Sequence, residues 1–455
     1  MFEIEAWKSQ ESFSYFKIFK PISWGKRPAE RRSCFAYLLE HDGAHLAFHT
    51  MTHAFYELNE TEWALLSQET AELPAENAEP LAELIDSHFF VPESENETQS
   101  YMELFELLRL TEKRKAGMSF YKIFTTLECN ARCFYCFEPD HSTLPMTPET
   151  VADVFAYIMK TKREGEIVLY WFGGEPLCNA AAIDQLTSML DEAGVSYKST
   201  MVSNGYLFTP ELIRHARDEW KLKKVQITLD GMDEEHNKRK RYRDPCENPF
   251  ARTIENIQGL LDGGIAVSVR VNVDSHNVES VWSLIDYLAE RFGGRKGFSA
   301  YPALLFEEFF KWKDLTPSES RRALRKEWLK MRTRMEELGF LKIKPIEKQM
   351  PMIHCMSNSP HSAIINYDGA LFACQNCQAD MAVGTVRDGI TKPALHDKWM
   401  SNTRVREKCV DCCFLPQCTA FDMCPSLSSD CDVEQNDRLM RKLICSYQLF
   451  REANA

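Results

Sequence analysis

Thr125-Thr126-Leu127-Glu128-Cys129-Asn130-Ala131-Arg132-Cys133-Phe134-Tyr135-Cys136-Phe137-Glu138 is the stretch from which the rest of the chain can be read. It begins at the end of a strand-like run, Phe120–Thr126, and sets Cys129, Cys133 and Cys136 at C-x3-C-x2-C spacing on one short loop. Thiolates are the soft ligands that iron–sulfur clusters take. Three of them so placed can hold three irons of a cubane [4Fe–4S] cluster. The fourth iron is then left without a protein ligand, open to a small molecule. A zinc knuckle, or part of a larger structural metal site, is the competing reading of the same thiols.

Outward from this loop, the chain is 455 residues long, enough for two or three domains. An apolar content of 44% suffices for buried cores. The net charge of −13 argues against nucleic acid or an anionic membrane as the main partner. The start, Met1-Phe2-Glu3-Ile4-Glu5, lacks the basic opening and apolar core of a signal peptide. No stretch approaches the roughly 20 apolar residues that cross a bilayer. A cytoplasmic protein is expected, and 16 cysteines there point to metal ligation rather than disulfides. Ten of them lie between Cys355 and Cys445, so a second metal-rich region is expected near the C-terminus.

From 118 to 345 short apolar runs alternate with amphipathic helical stretches. Strands are expected at 120–126, 167–172, 199–203, 225–229, 267–273 and, more weakly, 298–304. Thr147-Pro148-Glu149 and Thr209-Pro210-Glu211 each combine a capping hydroxyl, a first-turn proline and an acid, and so mark helix starts. Such alternation builds an α/β fold, a parallel sheet wrapped by helices. The cysteine spacing, with Tyr135 before the last cysteine, resembles the signature of the radical S-adenosylmethionine (radical SAM) enzymes. The six strand–helix units are similar to that family's partial (β/α)6 barrel. The resemblance implies that the open iron chelates SAM, whose reductive cleavage yields a 5′-deoxyadenosyl radical that takes a substrate hydrogen. It implies no catalytic side chain acting as a general base in the radical step.

The resemblance also assigns SAM contacts. Gly173-Gly174-Glu175 resembles the family's GGE turn against the SAM amino group. Ser203 and Asn204 stand at the ribose-contacting position, and an ordinary Asn-Gly turn is the alternative for Asn204-Gly205. Arg270 shares a strand face with Asn272, and would meet the methionyl carboxylate or else an internal acid. After Leu229-Asp230-Gly231 comes His236 and a basic run, 238–243, read mainly as a solvated face beside the substrate channel.

Beyond 345, Cys355-x13-Gly369-x4-Cys374, then Cys409-x2-Cys412-x5-Cys418-x5-Cys424-Pro425, and lastly Cys445, resemble the seven-cysteine SPASM domain. A hairpin with an Asp368-Gly369 turn is expected inside it. The resemblance implies two auxiliary [4Fe–4S] clusters: one on Cys355, Cys374 and Cys424, the other on Cys409, Cys412, Cys418 and Cys445. The chain departs from the pattern by two extra residues between Cys418 and Cys424. Cys377, Cys413 or Cys431 would complete the first cluster, Cys377 being preferred, or an iron there stays open. Zinc ribbons are the alternative for this region. Cys34, Cys178 and Cys246 read as buried apolar thiols.

The first 98 residues read as strands at 33–39, 45–48 and 54–58, a helix after Asn59-Glu60-Thr61-Glu62 and a second helix ending near 88–91. They resemble the winged-helix RiPP recognition element, which binds a leader peptide as an added strand; a structural cap is the alternative. A linker at 92–100 and a bridging helix at 101–113 would lead to the barrel at 118–345 and the cysteine-rich domain at 346–455. The whole resembles a peptide maturase. A precursor peptide with a leader would be the substrate, a flavodoxin or ferredoxin the reductant, and a cysteine thioether the favoured crosslink. A formylglycine-forming, sulfatase-maturing enzyme is the nearest alternative. A non-catalytic iron–sulfur or zinc scaffold that binds peptide is the alternative of another class.

Overall fold

The computed structural model describes residues 2–3, 31–68, 81–113, 117–136, 144–305, 319–346, 355–376, 379–401, 407–418 and 431–453. Contacts divide the chain into two units, one of Lys115–Lys342 with Met356–Ser401, the other of Met1–Arg114, Ile343–Cys355 and Asn402–Ala455. The segment 346–455 is therefore shared between them.

The first unit is built on six strands: β1 (Phe120–Thr126), β2 (Ile167–Gly173), β3 (Tyr197–Ser203), β4 (Leu222–Leu229), β5 (Ala266–Val273) and β6 (Phe298–Leu304). They pair in chain order and all in parallel. Parallel neighbours need a crossover, and helices supply each one: α1 (Pro148–Thr161), α2 (Ala180–Glu192), α3 (Pro210–Asp218), α4 (Asp233–Lys240) with α5 (Pro249–Asp262), and α6 (Val278–Phe292). This is the expected α/β fold, a large parallel-rich sheet of the partial-barrel kind. The free edge of β1 takes β7 (Ser362–Ile365), also parallel. The sheet continues antiparallel through β8 (Ala370–Phe372), β9 (Gly384–Thr385) and β10 (Gly389–Ile390). Between β7 and β8 the turn carries Gly369 at φ +83°, as the Asp-Gly pair requires.

The helix starts follow their signals. Thr147 and Thr209 accept from the backbone N–H of Thr150 and Leu212, and a proline follows each. Asn248-Pro249 caps α5 in the same way. Along the strands, alternate residues face the helices: Ile123, Leu169, Trp171, Val225, Ile227 and Val269 are fully buried there. The opposite faces carry Lys122, Tyr170, Gln226, Arg270 and Tyr301, so the two sides of the sheet differ in polarity as well as in partner.

The second unit holds an antiparallel sheet of Phe2–Glu3, Phe55–Leu58, Ala44–His49 and Ala36–His41. Asp42 and Gly43, both at positive φ, close the last two strands as a two-residue hairpin turn. The helix Glu60–Leu66 starts at Asn59 with a full capping box to Glu62. The helix expected to end near 88–91 ends at Asp86 instead. Phe90–Val91 is a strand paired with Arg31–Arg32, and its aromatic run is buried as sheet. The bridging helix spans Glu97–Lys113, so its first residues take up the end of the expected linker. The helix Cys431–Ala453 belongs to this unit, with Leu439, Leu443 and Tyr447 packed on Tyr37, Leu46, Phe48 and Phe55.

Candidate active site

β1 ends at Thr126 and the cysteine loop leaves from its C-terminal end, where barrels of this type gather their chemistry. The end of β2 clasps the loop. Gly174 N–H donates to the Thr126 carbonyl at 3.0 Å and Glu175 N–H to that of Glu128 at 2.8 Å. A Cβ at Gly173 would overlap the Thr126 carbonyl, and one at Gly174 the carbonyls of Leu127 and Glu128. The two glycines thus let the loop backbone pass directly over the turn, a use that the sequence reading, with its SAM contact, did not ask of them.

Glu175 and Ser203, both buried, and the half-buried Asn204 come together in one network. The Glu175 carboxylate accepts from Ser203 Oγ at 2.9 Å and from Asn204 N–H at 2.8 Å. Burial pushes its pKa up to about 7, against the hydrogen bonds from Asn204 and Ser203. Asn204 Nδ2 donates to Asn130 Oδ1 at 2.6 Å and lies 3.9 Å from the Cys129 sulfur. The end of β3 is tied in this way to the cysteine loop.

On the other side the loop is held by α4. Arg132 N–H donates to the Lys240 carbonyl at 2.9 Å, Arg243 N–H donates to the Asn130 carbonyl at 2.8 Å, and the Cys133 sulfur lies 3.8 Å from the Lys240 carbonyl. Arg241 ends the helix in the left-handed region, turning the chain back to the loop. Tyr135 is drawn inward. Its hydroxyl donates to Asp230 at 2.6 Å and accepts from Lys240 Nζ at 3.0 Å. Arg239 pairs with Asp274 at 2.6 Å and with Glu235. The basic run is therefore not one solvated face: Arg239 and Lys240 are buried in ion pairs, whereas Lys238, Arg241 and Arg243 are exposed. Charge composition could not reveal this, because the partners Asp230 and Asp274 lie at the ends of β4 and β5.

Arg270 sits mid-strand on β5, donates from Nε to Asn272 at 3.0 Å and makes no ion pair among the described residues. Tyr301 beside it donates to Gln226 at 2.9 Å. Lys122 contacts Gln375 and sits over the rings of Tyr170 and Phe172 at 4.6 and 4.1 Å.

The three loop cysteines are unbridged. Cys129 is buried, which pushes its thiol up to about 12. At neutral pH that proton leaves only in exchange for a metal. Asn130 Nδ2 is buried without a hydrogen-bond partner among the described residues, a donor left for a group on the loop. Soft thiols and an unspent donor suit an anionic iron–sulfur group. Among the described residues, no three His, Cys, Asp or Glu side chains converge on a single-ion site.

Of the other cysteines, Cys409 and Cys412 lie in successive tight turns of the second unit, with Cys418 just beyond and Cys445 on its last helix. Cys413 packs against the apolar core of Tyr37 and Phe48, and burial pushes its thiol up to about 12. Cys355 is exposed, and Cys374 accepts from the Asn376 N–H at 3.5 Å. Cys377 and Cys424 lie outside the described residues, as does the side chain of Cys431. Cys246 packs beside Cys129 and Cys133, and the Cys178 thiol is raised by burial and then by Glu175 and Glu128. Ser33, His49 and Glu97 also share a network, but all three are buried and the serine contacts the carboxylate itself, so no exposed nucleophile results.

Residues 123–288 match the Radical SAM superfamily family model, a range that opens within β1 and takes in the cysteine loop near its start. Radical SAM cyclopropyl synthase TigE of Paramaledivibacter caminithermalis is 24% identical over 202 residues, which is 40% of this chain and 40% of that protein. The fold is similar to that of anSMEcpe with bound AdoMet and Cp18Cys peptide (TM-score 0.56, 13% identity, 73% of this chain and 99% of that one). It is also similar to Streptococcus suis SuiB bound to precursor peptide SuiA (TM-score 0.50, 13% identity, 88% and 99%). No helix among the described residues is long and apolar enough to cross a membrane.

Proposed function

We propose that this chain is a radical SAM peptide maturase that installs an oxidative crosslink, a thioether from a cysteine sulfur to carbon, in a ribosomally made precursor peptide. The observation that carries the reading is the loop of Cys129, Cys133 and Cys136 at the C-terminal end of β1, clasped by the Gly173-Gly174 turn of β2. Bound there, a [4Fe–4S] cluster and SAM supply a 5′-deoxyadenosyl radical that removes a hydrogen atom from the substrate. The chain's own residues hold, orient and enclose. Cys129, Cys133 and Cys136 ligate, while Glu175, Ser203 and Asn204 shape the SAM side of the loop. Arg270 offers a fork donor for a carboxylate inside the barrel. Cys355, Cys374 and Cys424, with Cys377, and Cys409, Cys412, Cys418 and Cys445 are proposed for two auxiliary clusters. These would accept the electron released on crosslinking, or the substrate sulfur.

The peptide reading is supported by the second cysteine set and by the antiparallel sheet ahead of the barrel, whose edge suits strand addition by a leader. Two of the similar folds were solved with peptides bound. A cytoplasmic site and a flavodoxin- or ferredoxin-type reductant complete the proposal. Anaerobic reconstitution tests it. About twelve irons per chain, three cubanes of four, with 5′-deoxyadenosine formed from SAM and dithionite, are expected. Bound zinc, or iron without SAM cleavage, overturns it.

A further inference from the structure

Resting on that reading, we infer that Lys240 and Asp230 are a buried charge pair that positions the cysteine loop through Tyr135 and sets the reduction potential of the cluster on it. Asp230 is 0% exposed at the end of β4, and Lys240 is 3% exposed in the last turn of α4. Their charged ends are 3.4 Å apart. Between them sits the Tyr135 hydroxyl, which donates to both carboxylate oxygens at 2.8 and 2.6 Å and accepts from the ammonium at 3.0 Å. Asn272 Nδ2 adds a donor to Asp230 at 2.8 Å, and Asn277 Nδ2 holds the Asp230 carbonyl at 2.8 Å. The pair is thus fixed by β4, β5, α4 and the cysteine loop together.

A pair this deeply buried is weak evidence for stability. Desolvation offsets most of its attraction, and an apolar replacement of the same volume is often no worse. Its place is better explained by what it touches. Tyr135 stands between Cys133 and Cys136, so its anchor sets where both thiols lie. The Lys240 carbonyl receives the Arg132 N–H and faces the Cys133 sulfur. The Lys240 ammonium and the Asp230 carboxylate are the two charges tied to the loop by hydrogen bonds through Tyr135. The other titratable groups packed around the site are Glu175, held by Ser203 and Asn204, Arg239, paired with Asp274 and Glu235, and His236, without a hydrogen-bond partner among the described residues. Reduction adds one negative charge to a cluster already anionic. A fixed ammonium eases that step, and a fixed carboxylate hinders it.

The test is an EPR-monitored redox titration of the reconstituted full-length protein, with iron content and the melting temperature of the metal-free protein measured alongside. To isolate the signal of the loop cluster, cysteines of both proposed auxiliary sets, Cys355 and Cys374 of one and Cys409 and Cys412 of the other, are replaced by alanine in every sample. Lys240→Met should lower the reduction equilibrium roughly tenfold, about 59 mV for one electron. Asp230→Asn should move it the opposite way, Lys240→Arg should restore it, and Lys240→Met with Asp230→Asn together should fall between. Opposite shifts at unchanged iron content are what a purely structural pair would not produce. Shifts of the same sign, no shift, or lost iron in every variant overturn the inference. A wild-type chain that binds no iron overturns the reading on which it rests.

Discussion

Gly174 shows how much one missing methyl group carries. Its backbone lies against the carbonyls of Leu127 and Glu128, so alanine there forces the cysteine loop away from β2. Gly174→Ala should cost about 1–3 kcal/mol in chemical unfolding and lower the iron bound per chain; full iron loading would refute this account of the turn. His236 makes a second point at this scale. It is fully buried among Tyr242 and Phe250, and burial drives its pKa down to about 3. The folded chain refuses a proton that the unfolded chain accepts below about 6.5. Stability should therefore be complete above that pH and fall as pH drops towards 3, by at most about 1.4 kcal/mol per unit from this group. Urea midpoints at pH 7 and pH 5 would show the loss, and His236→Phe should flatten it. Glycines, capping residues and cysteines were legible in the sequence, because each constrains the backbone or the chemistry locally. The burial of Arg239 and Lys240 was not, because it depends on Asp274 and Asp230, which stand at the ends of other elements, β5 and β4.

At the scale of elements, the six strands and their crossovers follow from short apolar runs, proline and hydroxyl caps, and the need of parallel strands for a helical return. Thr147 is the simplest point to probe, since its side chain accepts the Thr150 N–H at 3.2 Å. Thr147→Ala should cost about 1 kcal/mol in unfolding free energy while leaving iron content unchanged. No loss would mean that Pro148 alone defines the start of α1. The misread element is as instructive. The run Phe89-Phe90-Val91 looked like the apolar end of a helix, but β-branched and aromatic residues suit a pleated surface equally well. Pairing with Arg31–Arg32 decided the matter, and no local signal in 88–91 announces that partner.

Across the whole molecule, the chain leaves its second unit at Arg114 and returns to it twice, at Ile343 and Asn402. The hairpin unit near the N-terminus is thereby completed by a helix more than 380 residues downstream in sequence. Leu443, fully buried on that helix, packs with Tyr37 and Phe48. Leu443→Ala should cost about 2–5 kcal/mol, and the loss should appear as faster amide exchange in Ala36–His41 and Ala44–His49. Unchanged exchange there would show that the sheet stands without the helix. By itself, the sequence determined the parallel α/β architecture and the placement of the three-cysteine loop at the C-terminal end of its first strand. Those features depend on residue type and short spacing. Only the tertiary structure decided that Glu175, Ser203 and Asn204 share one network, that Asp230, Tyr135 and Lys240 lock the cysteine loop, and that Cys413 turns into a core. Such contacts join residues from separate strands and helices, and what sets them is the packing of side chains that composition and periodicity do not order in space.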